Sequence, residues 1–472
     1  MKLIIVERRV VPVVSFIIYA DVGSVDEEAG MSGMAHMFEH MAFKGTSKIG
    51  TTDYGREKEA LEKVDRAYLA LREERLKGPR ADRNRLAELE KAFHQAQDEA
   101  GQYVVANEFT QAIERNGGVG LNATTSADAT RYFFSLPSNK LELWFSLESA
   151  RFVDPVLREF YKERAVVMEE RRQSVESQPI GKLLEDFLSV AYKAHSYGRT
   201  TFGWRSDLEN LTRPQAERFY RKHYVPPNLT AVIVGDVDPV KVIRLAEQYF
   251  GQIPAGLKPE PLWTVEPRQE GERRTLVHAH AQPVLLIGYH KPSVRDPDDA
   301  VFDAVQDILA GGRTSRLYRS LVQERKIAVA AGGFPGFPGD KHPNLFLFYA
   351  FASAGHTNEE NQEAMLEEIE RLKTERVSEE ELRRVKARAL AELIDGLDSN
   401  AGLARQLAAY EVLTGDWRNL FGSLEAIQAV TREDIRRVAR QYFTDRNRTV
   451  GYLVPEQRGS QRPSRVRDGR RQ

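Results

Sequence analysis

The chain has 472 residues, 41% of them hydrophobic and 29% charged, and its 68 basic and 69 acidic side chains leave a net charge of −1. That length exceeds one ordinary hydrophobic core, so two or more domains are expected; the balanced charge leaves no global electrostatic footprint for nucleic acid. Cysteine is absent, which rules out disulfides and thiolate metal sites and leaves His, Asp and Glu to hold any metal.

In chain order, Met1 enters a strand almost at once, and "VVPVVSFIIYADV" is too short and too interrupted by proline to span a bilayer. The opening "MKLIIVERR" has no apolar stretch followed by a small-residue cleavage site. As it stands the sequence points to the cytoplasm, and to the periplasm or secretion if its natural start lies upstream. Residues 57–106 are charged and helical in period. Leu61, Val64, Tyr68 and Leu71 make one stripe, Leu86, Leu89 and Phe93 another, and Gly78-Pro79 divides them. This predicts a helical hairpin inserted into the first domain, a solvated arm rather than a partner-binding surface.

An internal repeat follows. Thr212 and Thr431, Arg213 and Arg432, Arg221 and Arg440, Asn228 and Asn447, and Thr230 and Thr449 all pair at one constant spacing. Each copy reads as a Thr-capped helix, a turn and a closing strand. "PVVSFIIYADVG" and "PVLLIGYHKPS" are matching apolar strands opened by proline. Together they predict an α+β chain of two homologous domains, residues 1–252 and 273–455, joined by a Pro- and Glu-rich linker at 253–272. The basic tail, 456–472, is expected to be disordered. "GGFPGFPGD" (332–340) reads as a plain connecting loop, and His278 with His280 as a surface pair.

Chemistry concentrates in "AHMFEHMAFKGT" (35–46). On a helix His36 and His40 share a face, with Glu39 beside them. Two neutral imidazoles four residues apart can bind one Zn²⁺ while the carboxylate stays free to act on water. A third ligand should be His, Asp or Glu. In "FYKERAVVMEERRQSVESQP" (160–179), Glu163 and Glu170 are seven apart and share a helix face, whereas Glu169 fits that face poorly.

"HMFEHMAFKGT" followed by "ERAVVMEERR" resembles the inverted-motif zinc peptidases, the inverzincins, which include pitrilysin, insulin-degrading enzyme and the mitochondrial processing peptidase β subunit. The resemblance implies Zn²⁺ held by His36, His40 and Glu170, with Glu39 as general base and Glu163 as a nearby acid that orients or tunes the site. It implies domains built on antiparallel or mixed sheets flanked by helices. "GGVGLNATTSADATRYFF" (117–134) is similar to the family's substrate-binding edge strand, with Asn122 and Ala123 as contacts by strand addition. "HSYGRTTFG" (195–203) also looks like a family segment, which makes His195 structural. In single-chain members the second domain adds an Arg/Tyr pair that stabilises the oxyanion; aligning "LVQERKIAV" puts Val322 and Val329 there, and Arg313, Arg316 and Tyr318 do not match. The implied function is a zinc endopeptidase acting on peptides or unfolded polypeptides as the metal-bearing subunit of a heterodimer. A self-sufficient homodimer and a non-catalytic zinc-containing assembly subunit are the alternatives.

Overall fold

The structure, a computed structural model, describes residues 1–456; beyond Glu456 the expected disordered tail lies outside the described residues. Strands β1 (Lys2–Glu7), β2 (Val13–Ala20), β3 (Val119–Thr125), β4 (Thr130–Pro137) and β5 (Leu229–Gly235) form one sheet in the order β1-β5-β2-β4-β3. Strands β6 (Arg273–Ala279), β7 (Val284–Lys291), β8 (Ala328–Phe337), β9 (Asn344–Ala352) and β10 (Arg448–Pro455) form a second, in the order β6-β10-β7-β9-β8. Each strand of the first sheet has its counterpart at the same place in the second. Both sheets are mixed: β1 runs parallel to β5 and β6 to β10, and the remaining pairs are antiparallel. No helix or strand lies between Phe250 and Arg273.

The repeated residues do the same work twice. Thr212 and Thr431 each cap a helix, Arg213–His223 and Arg432–Tyr442, in a reciprocal box with Gln215 and Asp434. The Asn228 amide donates to the carbonyls of His223 and Asp21, and that of Asn447 to Tyr442 and His290. Each asparagine thus ties a helix end to the strand ahead of it.

Strand β5, LTAVIVG, is buried along its whole length, a continuous apolar run that needs cover on both faces. Phe16, Ile18, Ala231 and Ile233 pack on the first half's own helices. On the opposite face Ile17, Tyr19, Val232 and Val234 meet Ala404, Leu407 and Ala408 of helix Asn400–Thr414, from the second half. The exchange is reciprocal: Leu183, Phe187 and Leu188 of helix Pro179–Ala191 cover Val284, Leu286 and Leu453 of the second sheet. Gly288 and Gly451 make room for the Phe187 ring, since a Cβ on either would lie 2.8 and 2.9 Å from it. Burying that ring contributes about 1.5–3 kcal/mol.

The inserted segment is a hairpin of helices Tyr54–Leu76 and Arg83–Gly101, begun by the side chains of Asp53 and Asp82. Leu61, Val64, Tyr68 and Leu71 are buried, as are Leu89 and Phe93, while Leu86 is half-buried. The hairpin docks on the helix Phe160–Arg171, where the Tyr68 ring meets Tyr161 tilted at 4.4 Å and the Phe93 ring meets it edge-on at 5.4 Å. The expected loop at 332–340 is in fact mostly strand, because Gly332–Phe337 continue β8 along β9. Gly332 and Gly333 carry no Cβ to collide with Tyr349 and Phe348 of β9, which permits the pairing.

Candidate metal centre

Helix Met34–Met41 buries Met34, Ala35, Met37, Phe38 and Met41 against the core, leaving His36, Glu39 and His40 on its other side. Its start is held by Gly33, in the left-handed conformation at φ 88°, and by the buried Glu27 carboxylate. That carboxylate accepts the N–H groups of Gly33 at 3.0 Å and Ala35 at 2.8 Å, donors that helix geometry leaves unpaired.

The structure brings His36, His40 and Glu170 together, each offering one ligand atom within 4.8 Å of the others. Glu170 Oε2 lies 3.5 Å from His36 Nε2 and 3.4 Å from His40 Nε2. These separations are long for hydrogen bonds. Tetrahedral ligands about 2.1 Å from a shared ion stand roughly 3.4 Å from one another, so the Glu170 oxygen lies from each imidazole about as far as a shared ion would set it. The two rings meet at 80° with centroids 5.0 Å apart.

Electrostatics suit the same use. Burial, then the neighbouring His40, pushes the pKa of His36 down to about 4, against the pull of Glu170. Its imidazole is therefore neutral and able to ligate. Burial also pulls His40 down, but the carboxylates of Glu163, Glu170 and Glu39 outweigh it and the net shift is upward. Glu163 is lowered: burial opposes this, and contacts to His40 and Lys44 prevail.

Glu163 stands 3.6 Å from His40 Nδ1. Glu39 lines a cleft of about 340 Å³ together with His40, Phe43, Lys44 and Glu163. Glu169 turns away to the surface, where Arg172 holds it. Asn122 is exposed and Ala123 buried on β3, the edge of its sheet; the Ala123 N–H donates to Asn122 Oδ1 at 2.9 Å. Only the backbone of Ala123 can serve a bound strand.

The second half brings no donor pair to the expected places. Val322 is half-buried against the second core, and Val329 is 57% exposed on β8. Arg316 is clamped by Glu381 through bonds of 2.8 and 2.9 Å, and Arg313 is exposed. His278 and His280 are exposed, His280 paired with Glu456 at 2.9 Å. His195 lies outside the cluster and accepts the Tyr197 N–H at Nδ1, 3.2 Å away.

Sequence reasoning missed Lys44, Glu159, Phe202 and Glu27. Phe202 meets the His36 ring edge-on at 5.3 Å. Lys44 gave the only local signal, four residues past His40, one turn further on.

A family model described as Insulinase (Peptidase family M16) matches residues 3–71 and 98–204, and one described as Peptidase M16 inactive domain matches 210–389. The gap between 71 and 98 falls inside the helical hairpin, and the junction at 204–210 falls just before helix Arg213–His223. The zinc protease PqqE of Helicobacter pylori is 29% identical over 442 residues, 92% of this chain and 86% of the relative. The mitochondrial-processing peptidase subunit beta of Saccharomyces cerevisiae is 22% identical over 89% of this chain and 81% of its own length. A protease from Helicobacter pylori of known crystal structure superposes with TM-score 0.80 at 28% identity, covering 96% of this chain and 97% of that one.

Proposed function

Because the chain belongs to the M16, pitrilysin-like peptidase family, we propose that it is a zinc-dependent endopeptidase that hydrolyses peptides and unfolded polypeptides. The observation that carries this reading is the spacing of the His36, His40 and Glu170 ligand atoms, all within 4.8 Å of one another. His36, His40 and Glu170 would hold Zn²⁺, which when bound supplies the Lewis acidity that brings a water's pKa toward about 7. Glu39, on the same helix and facing the same cleft, takes a proton from the attacking water and delivers one to the leaving amine. The unpaired edge of β3 offers the peptide backbone a strand to join, with exposed Asn122 alongside.

The finer reading is a heterodimer in which a homologous partner supplies the oxyanion donors. Its support is the pair of apolar residues, Val322 and Val329, at the two donor positions, and the engagement of Arg316 by Glu381. Lacking one such donor costs on the order of 100–1000-fold in rate.

Zinc content and cleavage of unstructured peptides by the purified chain test both levels. Glu39→Gln should keep one equivalent of zinc and lose about 100–10,000-fold in turnover. One zinc with negligible turnover in the unaltered chain supports a missing partner, to be sought by co-purification. Brisk turnover by the chain alone removes the heterodimer, and absence of zinc removes the peptidase reading altogether.

A further inference from the structure

We propose that Lys44, held between Glu159 and Glu163, is a positioning residue for the metal centre, fixing Glu163 and through it the ring of His40. The inference rests on the metal-site reading above. Lys44 follows the end of helix Met34–Met41 by three residues, and its side chain is 21% exposed. Its ammonium lies 2.6 Å from Glu163 Oε1 and 2.9 Å from Glu159 Oε2. Glu163 then turns its other oxygen, Oε2, toward His40 Nδ1 as a charged contact at 3.6 Å, longer than a hydrogen bond, while His40 Nε2 faces Glu170. A ligating imidazole is aimed by what its second nitrogen touches. Glu163 can aim His40 only if its own carboxylate is pinned, and Lys44 pins one oxygen while leaving the other free.

Glu159 is the second half of the brace. Its backbone is left-handed, at φ 56° and ψ 22°, a conformation rare outside glycine. Among the described residues only Asn107 and Lys326 share a positive φ without being glycine, and Asn107 lines the same cleft as Glu159. Glu159 is also the residue from which helix Phe160–Arg171 starts, the helix that carries Glu163 and Glu170. Its carboxylate divides between Lys44 and Lys162, each at 2.9 Å. A glutamate kept where glycine would fit more easily indicates that the carboxylate has a task. Without the lysine between them Glu159 and Glu163 would face one another as like charges, and Glu163 would swing away from His40.

Zinc affinity, measured by competition with a chromogenic chelator, and the visible absorption of the Co²⁺-loaded protein read the brace without reference to activity. Lys44→Met should weaken zinc about 10–100-fold and shift the cobalt spectrum, with Lys44→Arg recovering part of the affinity. Glu163→Gln should weaken zinc similarly, and the Lys44→Met/Glu163→Gln double variant should be no weaker than either single. Glu159→Gly relaxes the backbone, so it should fold at least as stably and still bind zinc more weakly. Unchanged affinity in Lys44→Met and Glu159→Gly, or fully additive losses in the double variant, would overturn the brace while the metal site stood. An unaltered chain that bound no zinc would overturn the site itself and the brace with it.

Discussion

The two halves of the chain place a helix crossing at the same point of the fold and close it differently. In the first, helix Met34–Met41 packs on Phe160–Arg171, and His36, His40 and Glu170 converge there. In the second, helix Asp299–Ala310 packs on Glu379–Asp398. There the Arg388 guanidinium binds the buried Asp307 carboxylate and donates to the Gly311 carbonyl at 2.8 Å. One crossing holds a carboxylate and two neutral-capable imidazoles that call for a cation from solution. The other supplies its cation from its own chain. A tethered guanidinium satisfies the carboxylate but cannot generate a nucleophile, so under the proposed function the chemistry falls to one copy of the duplicated fold.

The largest expected effect breaks the first crossing. Glu170→Ala should abolish stoichiometric zinc and peptide turnover together, measured by metal analysis and a quenched-peptide assay. Arg388→Ala should leave zinc content unchanged but strip Asp307 of its partner. Because Arg388 is 37% exposed, solvent screens the loss, and urea titration should show about 1–2 kcal/mol of destabilisation. Zinc loss in Arg388→Ala would mean the two crossings are not independent.

The sheet edges extend the contrast at smaller scale. β3 and β8 occupy the same outer position, but β3, which packs against helix Met34–Met41, carries the exposed amide of Asn122, and β8 carries the exposed apolar Val329 and Phe334. Asn122→Ala should raise KM roughly 2–10-fold with kcat little changed, the size of one or two hydrogen bonds. Val329→Ala should alter neither. Equal effects at the two edges would assign substrate to both.

The convergence of His36, His40 and Glu170 and the duplicated fold were legible in advance for a physical reason. The cluster is built from two short stretches, each on one helix, where a spacing of three, four or seven fixes a shared face. The repeat was visible because Asn228 and Asn447 each bond to the helix just before them and to the end of a more distant earlier strand, a constraint that ties each copy together. Lys44 with Glu159 was not, because the spacing of Lys44 from His40 does not report that a loop lysine will fall between two acids more than a hundred residues downstream. The extent of β8 was misread because its glycines resemble a turn. Only the Phe348 and Tyr349 rings of β9 reveal why they stand in a strand. The exchange of helices between halves left no trace in pattern either, since a helix buried on one face looks the same whichever sheet it covers.

Acid should act unevenly on the two halves, and this is the smallest of the expected effects. His36, His195 and His223, all in the first half, are each pushed down to about 4, burial being the first cause in every case. His290 and His342 in the second half are lowered as well. His195 shows the reason most directly, for its Nε2 is buried without a hydrogen-bond partner and the His342 ring centre lies 4.9 Å away. In the unfolded chain these rings titrate near 6.5. Between that value and about 4 the unfolded state takes up protons on these rings that the folded state refuses, so the stability they contribute is present above pH ~6.5 and is lost as pH falls toward 4. Burial also raises the carboxyls of Asp26, Glu27, Asp303 and Asp340, which act in the opposite sense over this range. The histidine share is therefore read by comparing a variant with its parent, in thermal melts of metal-free protein from pH 7 to pH 4.5 that exclude zinc release as a cause. His195→Gln removes one contributor, and its decline should be shallower than that of the parent. Parallel declines would mean that His195 takes up its proton in the folded state as readily as in the unfolded one, and that the ring pair is not the strained contact its orphaned nitrogens imply.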